Sequence, residues 1–222
     1  MPHEDFARVL EGLRDDADGI VKSVGFLEAV LDNPDVPDRL GQSVSGTAGV
    51  VAIESVIHSV LLYCARAWGN RRDEESIPNA VRLLPSLRDL VERRRPHPVA
   101  AIQGLQPHLL PTHYIRARRA YRRMQGAEVF GGIRVYRTEV LAHRVTNSND
   151  RIRLEREGRN VDPPSYGDLA DEARKAVVLV GDLGYLWDQL VNPYPDRIER
   201  ACRQAREFWR CMPRLRDVEN QV

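Results

Sequence analysis

Apolar residues return every three or four positions along most of this chain, and that period limits what it can fold into. From Asp5 to about Asn33, Phe6, Val9, Leu10, Leu13, Ala17, Ile20, Val21, Val24, Leu27, Val30 and Leu31 fall on one side of a 3.6-residue helix. The prolines of "NPDVPDR" (33–39) break it. A second helix runs from about Thr47 to Trp68, with Val50, Ile53, Val56, Ile57, Val60, Leu61, Cys64 and Trp68 in one stripe. Gly69 and Asn70 stop it. "SIPNAVRLLPSLRDLVERRR" opens on Ser76 as a cap, carries Pro78 in its first turn, and is at least partly helical.

Beyond a proline-rich connection at about 96–111, Thr112 opens a short helix with Tyr114, Ala117, Tyr121 and Met124 along one side. Gly126, Gly131 and Gly132 separate it from a helix over about 133–146, which a polar loop follows. Ser165 and Asp168 resemble a capping box. The long helix they open is lined by Leu169, Ala173, Val177, Val180, Leu183, Trp187 and Leu190. "NPYPD" ends it, and Ile198, Cys202, Ala205, Phe208 and Met212 line the last. With no strand-like alternation and no internal repeat, the expected fold is all-α: one domain over 1–222, a helical bundle of about six or seven helices.

No unbroken apolar run approaches the roughly 18 residues of a membrane span, and the opening "MPHED" suits neither a secretory signal nor a transit peptide. Cys64, Cys202 and Cys211 form neither a disulfide framework nor a zinc knuckle. A cytoplasmic protein without membrane partners is the expectation. Phosphate-loop, dinucleotide, His-Glu-x-x-His and Gly-x-Ser-x-Gly patterns are all absent. Two pairs, Glu54/His58 and Glu139/His143, set a Glu and a His one turn apart. Surface pairing accounts for such pairs more often than metal binding does, so neither a metal nor another cofactor is expected.

Charge is distributed unevenly. Of the 33 basic residues only Lys22 and Lys175 are lysines, which a GC-rich genome alone would explain. The distribution says more: residues 112–159 hold twelve arginines against five acids, whereas the whole chain carries a net charge of +1. A surface facing a polyanion leaves this asymmetry. Within it, "THYIRARRAYRRM" presents Arg116, Arg118, Arg119, Arg122 and Arg123 with no acid. Arginine pairs bidentately with phosphate oxygens and tyrosine can stack on bases. The competing reading makes Tyr114 and Tyr121 core residues, with the arginines paired to acidic neighbours.

Farther along the basic segment, "RVYRTEVLAHRV" resembles the Arg-x(4–6)-His signature of HEPN domains (higher eukaryotes and prokaryotes nucleotide-binding). These are all-α proteins, many of them metal-independent ribonucleases of toxin–antitoxin and phage-defence systems. The sequence is most similar to the abortive-infection U-type branch, whose organisation "CARAWGNRRDEESIPNAVRLL" (64–84) also resembles. The resemblance implies Arg137 and His143 as catalytic residues, with Thr138, Arg134 and Arg144 as auxiliary phosphate contacts. Thr138 stands where Asn, Asp or His is commoner, and Val145 where some HEPN toxins carry a modified tyrosine.

In chemical terms, a His titrating near neutrality can move the proton of a ribose 2′-hydroxyl, while a permanently charged Arg stabilises the phosphorane without a metal. On one continuous helix the two side chains would lie about 120° and about 9 Å apart. They can share a site if Arg137 lies in the first turn or a loop. Alternatively two protomers line one cleft, as the family arrangement implies, making a symmetric homodimer part of the reading. The resulting expectation is a ribonuclease acting on RNA, with a possible antitoxin or defence-system partner. A non-catalytic HEPN domain that binds RNA or a nucleotide, or serves as such a partner, is the alternative. As a plain helix residue, His143 would instead pair with Glu139.

Overall fold

The computed structural model describes residues 2–41, 46–69, 74–92, 109–126, 165–188 and 191–211. Among the described residues there are eight helices and no strand: α1 (Pro2–Leu31), α2 (Val36–Gly41), α3 (Gly46–Ala67), α4 (Ile77–Leu83), α5 (Leu87–Glu92), α6 (Leu110–Gln125), α7 (Tyr166–Asp188) and α8 (Tyr194–Cys211). The expected all-α bundle is observed. Two of these helices were not separate in the sequence reading. In α2, two prolines stand near the start of a six-residue helix, where a missing N–H costs little. The stretch after Ser76 divides into α4 and α5 because Pro85 cannot continue the helix. The expected helix over 133–146 lies outside the described residues.

α1 packs against α8, α7, α3 and α4, and α7 in turn against α3 and α6, so these two long helices hold the centre of the fold. The predicted stripe of α1 is core from Phe6 to Leu27, where Phe6, Val9, Leu10, Leu13, Ala17, Ile20, Val21, Val24 and Leu27 are all buried, whereas Val30 is half-buried and Leu31 exposed at the helix end. At about 1.5–3 kcal/mol for each large side chain removed from water, this stripe is a major source of stability. α1 and α8 cross at Gly25. A Cβ there would lie 2.6 Å from Ala201 Cβ and 2.8 Å from the Cys202 backbone nitrogen, so a hydrogen is all the crossing admits.

Arginines fasten the outer faces. Asp16 and Glu28 of α1 accept from Arg66 of α3 and Arg174 of α7, each at 2.8 Å. Asp18, and Asp32 just beyond the helix, meet Arg197 and Arg206 of α8. α1 and its C-terminal turn thus supply the acids of these pairs, and part of the arginine content is spent on packing helices together.

α7 is enclosed more completely than one amphipathic stripe would require. Ala170, Glu172, Leu179, Gly181 and Asp182 are buried along with the predicted Leu169, Ala173, Val177, Val180 and Leu183, while Trp187 is half-buried and Leu190 lies outside the described residues. In α8 the buried line is Ile198, Cys202, Ala205 and Trp209. Trp209 is fully buried, whereas Phe208, assigned to that face in the sequence reading, is 56% exposed. The helical phase keeps the predicted 198, 202 and 205 and takes 209 in place of 208; Met212 lies outside the described residues.

Helix starts follow the predicted chemistry. The Ser76 hydroxyl accepts from the Asn79 backbone N–H at 3.4 Å. The Ser165 hydroxyl accepts from the Asp168 N–H at 3.1 Å while donating to its carboxylate at 2.6 Å. α6 begins at Leu110 rather than Thr112, with Pro111 in its first turn.

Candidate nucleic-acid interface

α6 carries the arginine cluster, and its inner face fixes where those arginines point. Ala117 and Met124 are buried, and Tyr114, Ala120 and Tyr121 pack partly buried against the core. Tyr121 stacks on Trp68 of the α3 end, centroids 5.9 Å apart with rings 7° from parallel, and burial raises its pKa. Both tyrosines therefore serve mainly as packing, as the competing sequence reading had it.

The five arginines divide into two groups. Arg116 forks onto Asp182 of α7, with Nη2 donating at 2.6 Å and Nε at 3.2 Å. Asp182 is only 4% exposed and also accepts from the Asn192 side-chain amide at 3.3 Å. Asn192 in turn donates to the Val178 carbonyl and accepts from the Tyr194 N–H. Arg116 thus belongs to a network joining α6, α7 and the start of α8. The remaining four, Arg118, Arg119, Arg122 and Arg123, are exposed, and among the described residues none of them makes an ion pair. Arg118 lies over the Tyr114 ring at 5.7 Å and donates to its hydroxyl at 3.2 Å, which holds it against the helix surface.

Beside this face, α6 and α7 border an open cleft of about 390 Å³ lined by Ala120, Arg123, Met124, Glu172, Lys175 and Leu179, among others. Lys175 donates to Glu172 at 2.8 Å, a bond that raises the lysine pKa. At the start of α6, His113 packs on Tyr185, centroids 4.1 Å apart. Its pKa is lowered, first by burial and then by the Arg116 charge, with Asp182 opposing. Among the described residues no group of three His, Cys, Asp or Glu side chains could hold a metal ion.

The remaining candidates from the sequence, Arg134, Arg137, Thr138, His143 and Arg144, lie outside the described residues. The segment that carries them joins the end of α6 to the start of α7. Asp182 was missed as a functional residue of the packing. The sequence offered part of the signal, a lone acid inside an apolar run, but not the helix that it faces.

A search of family models matches residues 3–208 to HEPN_AbiU2, described as AbiU2. No curated protein and no solved structure matches the chain.

Proposed function

The chain belongs to the AbiU2 family of HEPN proteins, and from that premise we propose that it is a metal-independent RNA endonuclease of a phage-defence or toxin system. The extent of the family match carries the reading: residues 3–208 enclose both the basic helix and "RTEVLAHR", so Arg137 and His143 fall inside the matched region. In this mechanism His143 takes the proton of a ribose 2′-hydroxyl as general base, a contribution of roughly 10²–10⁴-fold. The 2′-oxygen attacks the adjacent phosphorus while Arg137 stabilises the charge that develops on its oxygens. The bond to the 5′-oxygen breaks as a protonated His143 returns a proton to it as general acid, leaving a 2′,3′-cyclic phosphate and a 5′-hydroxyl end. Thr138, Arg134 and Arg144 add phosphate contacts, and two copies of the chain complete the site.

The exposed arginines of α6 supply the substrate's electrostatic anchor, since backbone contacts position a nucleic acid irrespective of sequence. Arg118, Arg119, Arg122 and Arg123 fit that role, whereas Arg116 is engaged with Asp182.

The test is cleavage of an RNA oligonucleotide beside its all-deoxy counterpart in EDTA, with wild type and His143→Ala in parallel. Wild type alone should cut, only the RNA, and leave a cyclic phosphate. Absence of cleavage by either protein across many RNAs would favour a HEPN domain that binds RNA or acts as the partner component of a defence system. Cleavage by both would place the active site elsewhere.

A further inference from the structure

Glu172 of α7 is only 5% exposed, yet its carboxylate is incompletely paired. Lys175 donates to Oε1 at 2.8 Å, while Oε2 meets no hydrogen-bond partner among the described residues. A buried acceptor in that condition is costly to keep, and a donor that reaches it is bound more strongly than in water. Lys175 can yield its place. Its side chain is half-exposed, and its ammonium also lies 3.3 Å from Asp171, an exposed acid. By turning toward Asp171 it uncovers Glu172 without losing a counter-charge.

Glu172 and Lys175 line the cleft of about 390 Å³ between α6 and α7, a volume in the range of small-molecule sites. The walls are apolar: Ala120 and Met124 come from α6, Val178 and Leu179 from α7. Arg123 lines it too, exposed and without an ion pair among the described residues, so the cleft and the basic face of α6 share a residue. The two helices run in opposite directions along the cleft, from the Arg116–Asp182 pair to the end where Arg123 and Glu172 stand. At that end the chain leaves α6 after Gln125 and enters α7 at Tyr166. The segment bearing Arg137 and His143 is thus tethered there at both of its ends.

An occupant of this cleft needs an apolar body for the walls, a donor for Glu172 and an anion for Arg123. A nucleobase with an exocyclic amino group, joined to its phosphate, has all three. In a duplex that amino group is taken up by pairing, whereas an unpaired base presents it. Uracil carries a carbonyl where cytosine carries the amino group, and a carboxylate accepts from the second but not from the first. We propose that the α6–α7 cleft receives one unpaired, amino-bearing base of an RNA strand. Its amino group donates to Glu172 in place of Lys175, and a neighbouring phosphate rests on Arg123. The inference rests on the reading of α6 as an RNA-binding face and deepens it, by naming a specificity-determining residue for the strand held there.

The test uses labelled 2′-O-methyl oligocytidine and oligouridine, which no 2′-hydroxyl attack can cut, titrated with the full chain by fluorescence anisotropy. The cytidine strand should bind roughly tenfold more tightly, the worth of one charge-assisted hydrogen bond. Glu172→Gln should bring the two strands within about twofold of each other. Ala120→Phe, which fills the cleft, should erase the preference by a second route, and Arg123→Met should weaken both strands alike. A strand carrying one 5-iodocytosine should attach on irradiation to a residue lining the cleft, a readout on the wild-type chain that needs no variant to fold. Equal binding of the two strands, or binding of neither, overturns the proposal. So does a preference that both cleft variants retain, or attachment only outside the cleft. Because these probes cannot be cut, the result is independent of turnover. A cytidine preference in a protein that cleaves no RNA would sink the nuclease reading and leave this one standing. Cleavage lost on His143→Ala, with no base preference, would do the reverse.

Discussion

Asp182 is almost fully enclosed on α7, and Arg116 is the cation that compensates it. Arg116→Met strands a buried carboxylate and is expected to cost about 3 kcal/mol, or roughly 6–12 °C of melting temperature for a chain this size. Arg118→Met, at an exposed position, should stay within about 0.5 kcal/mol. Replacing both members of the pair, Arg116→Met with Asp182→Leu, should recover much of the loss, which a double-mutant cycle by thermal denaturation will measure. Three residues before Arg116, His113 brings a pH dependence of known sign. Burial holds its imidazole below the ordinary 6.5, so the unfolded chain takes up the proton more readily. The stability contributed by neutral His113 is complete above that value and is lost as pH falls toward the lower folded one. His113→Phe should therefore flatten the decline in melting temperature between about pH 7 and pH 5. Neither residue's role could be read from the sequence, where Arg116 was one of five equivalent arginines. Helical spacing places it on a flank of α6, but only the position of α7 decides that it meets an acid.

The helices themselves were largely legible. α1, α3, α6, α7 and α8 follow apolar stripes of period 3.6, and Ser76 and Ser165 mark helix starts as their residue types suggest. Removing the Ser76 cap by Ser76→Ala should cost about 1 kcal/mol. Where two helices press together, the sequence shows less. Gly25 looks like any mid-helix glycine, and in isolation Gly25→Ala would favour the helix. At the crossing with α8 the added methyl meets Ala201 and the Cys202 backbone, so the same change should instead destabilise by about 1–3 kcal/mol. Chemical denaturation of the variant decides between the two signs. On α6 the prediction concerns function. Neutralising Arg118, Arg119 and Arg122 together should weaken RNA binding and reduce the magnitude of the salt slope by about 2, at roughly 0.7 per single-strand phosphate contact. The same triple change should leave the melting temperature nearly unaltered, which separates a binding face from a structural one.

At the scale of the whole molecule, α1 touches four other helices, and its acids and those of its C-terminal turn receive arginines from α3, α7 and α8. Such a hub couples the described helices, and that coupling predicts one cooperative transition. Far-UV ellipticity reports all the helices, while Trp68, Trp187 and Trp209 report three separate places in the packing. The two signals should coincide on heating, and a Trp transition well ahead of helix loss would show that the bundle comes apart in pieces. The uneven charge of the sequence acquires a double meaning here. Arginines on α3, α7 and α8 close the bundle against α1, and those on the outer face of α6 remain available to a polyanion.

By itself the sequence determined the helical class, the long helices, their caps and the family signature. All of these depend on residues close together in the chain, through a 3.6-residue period or a local hydrogen bond. The tertiary structure decided which charges are paired, that Trp209 rather than Phe208 enters the core, and that α7 is enclosed on most sides. Those outcomes depend on how helices distant in sequence are set against one another. A helix carries several faces, and packing alone chooses which of them meet.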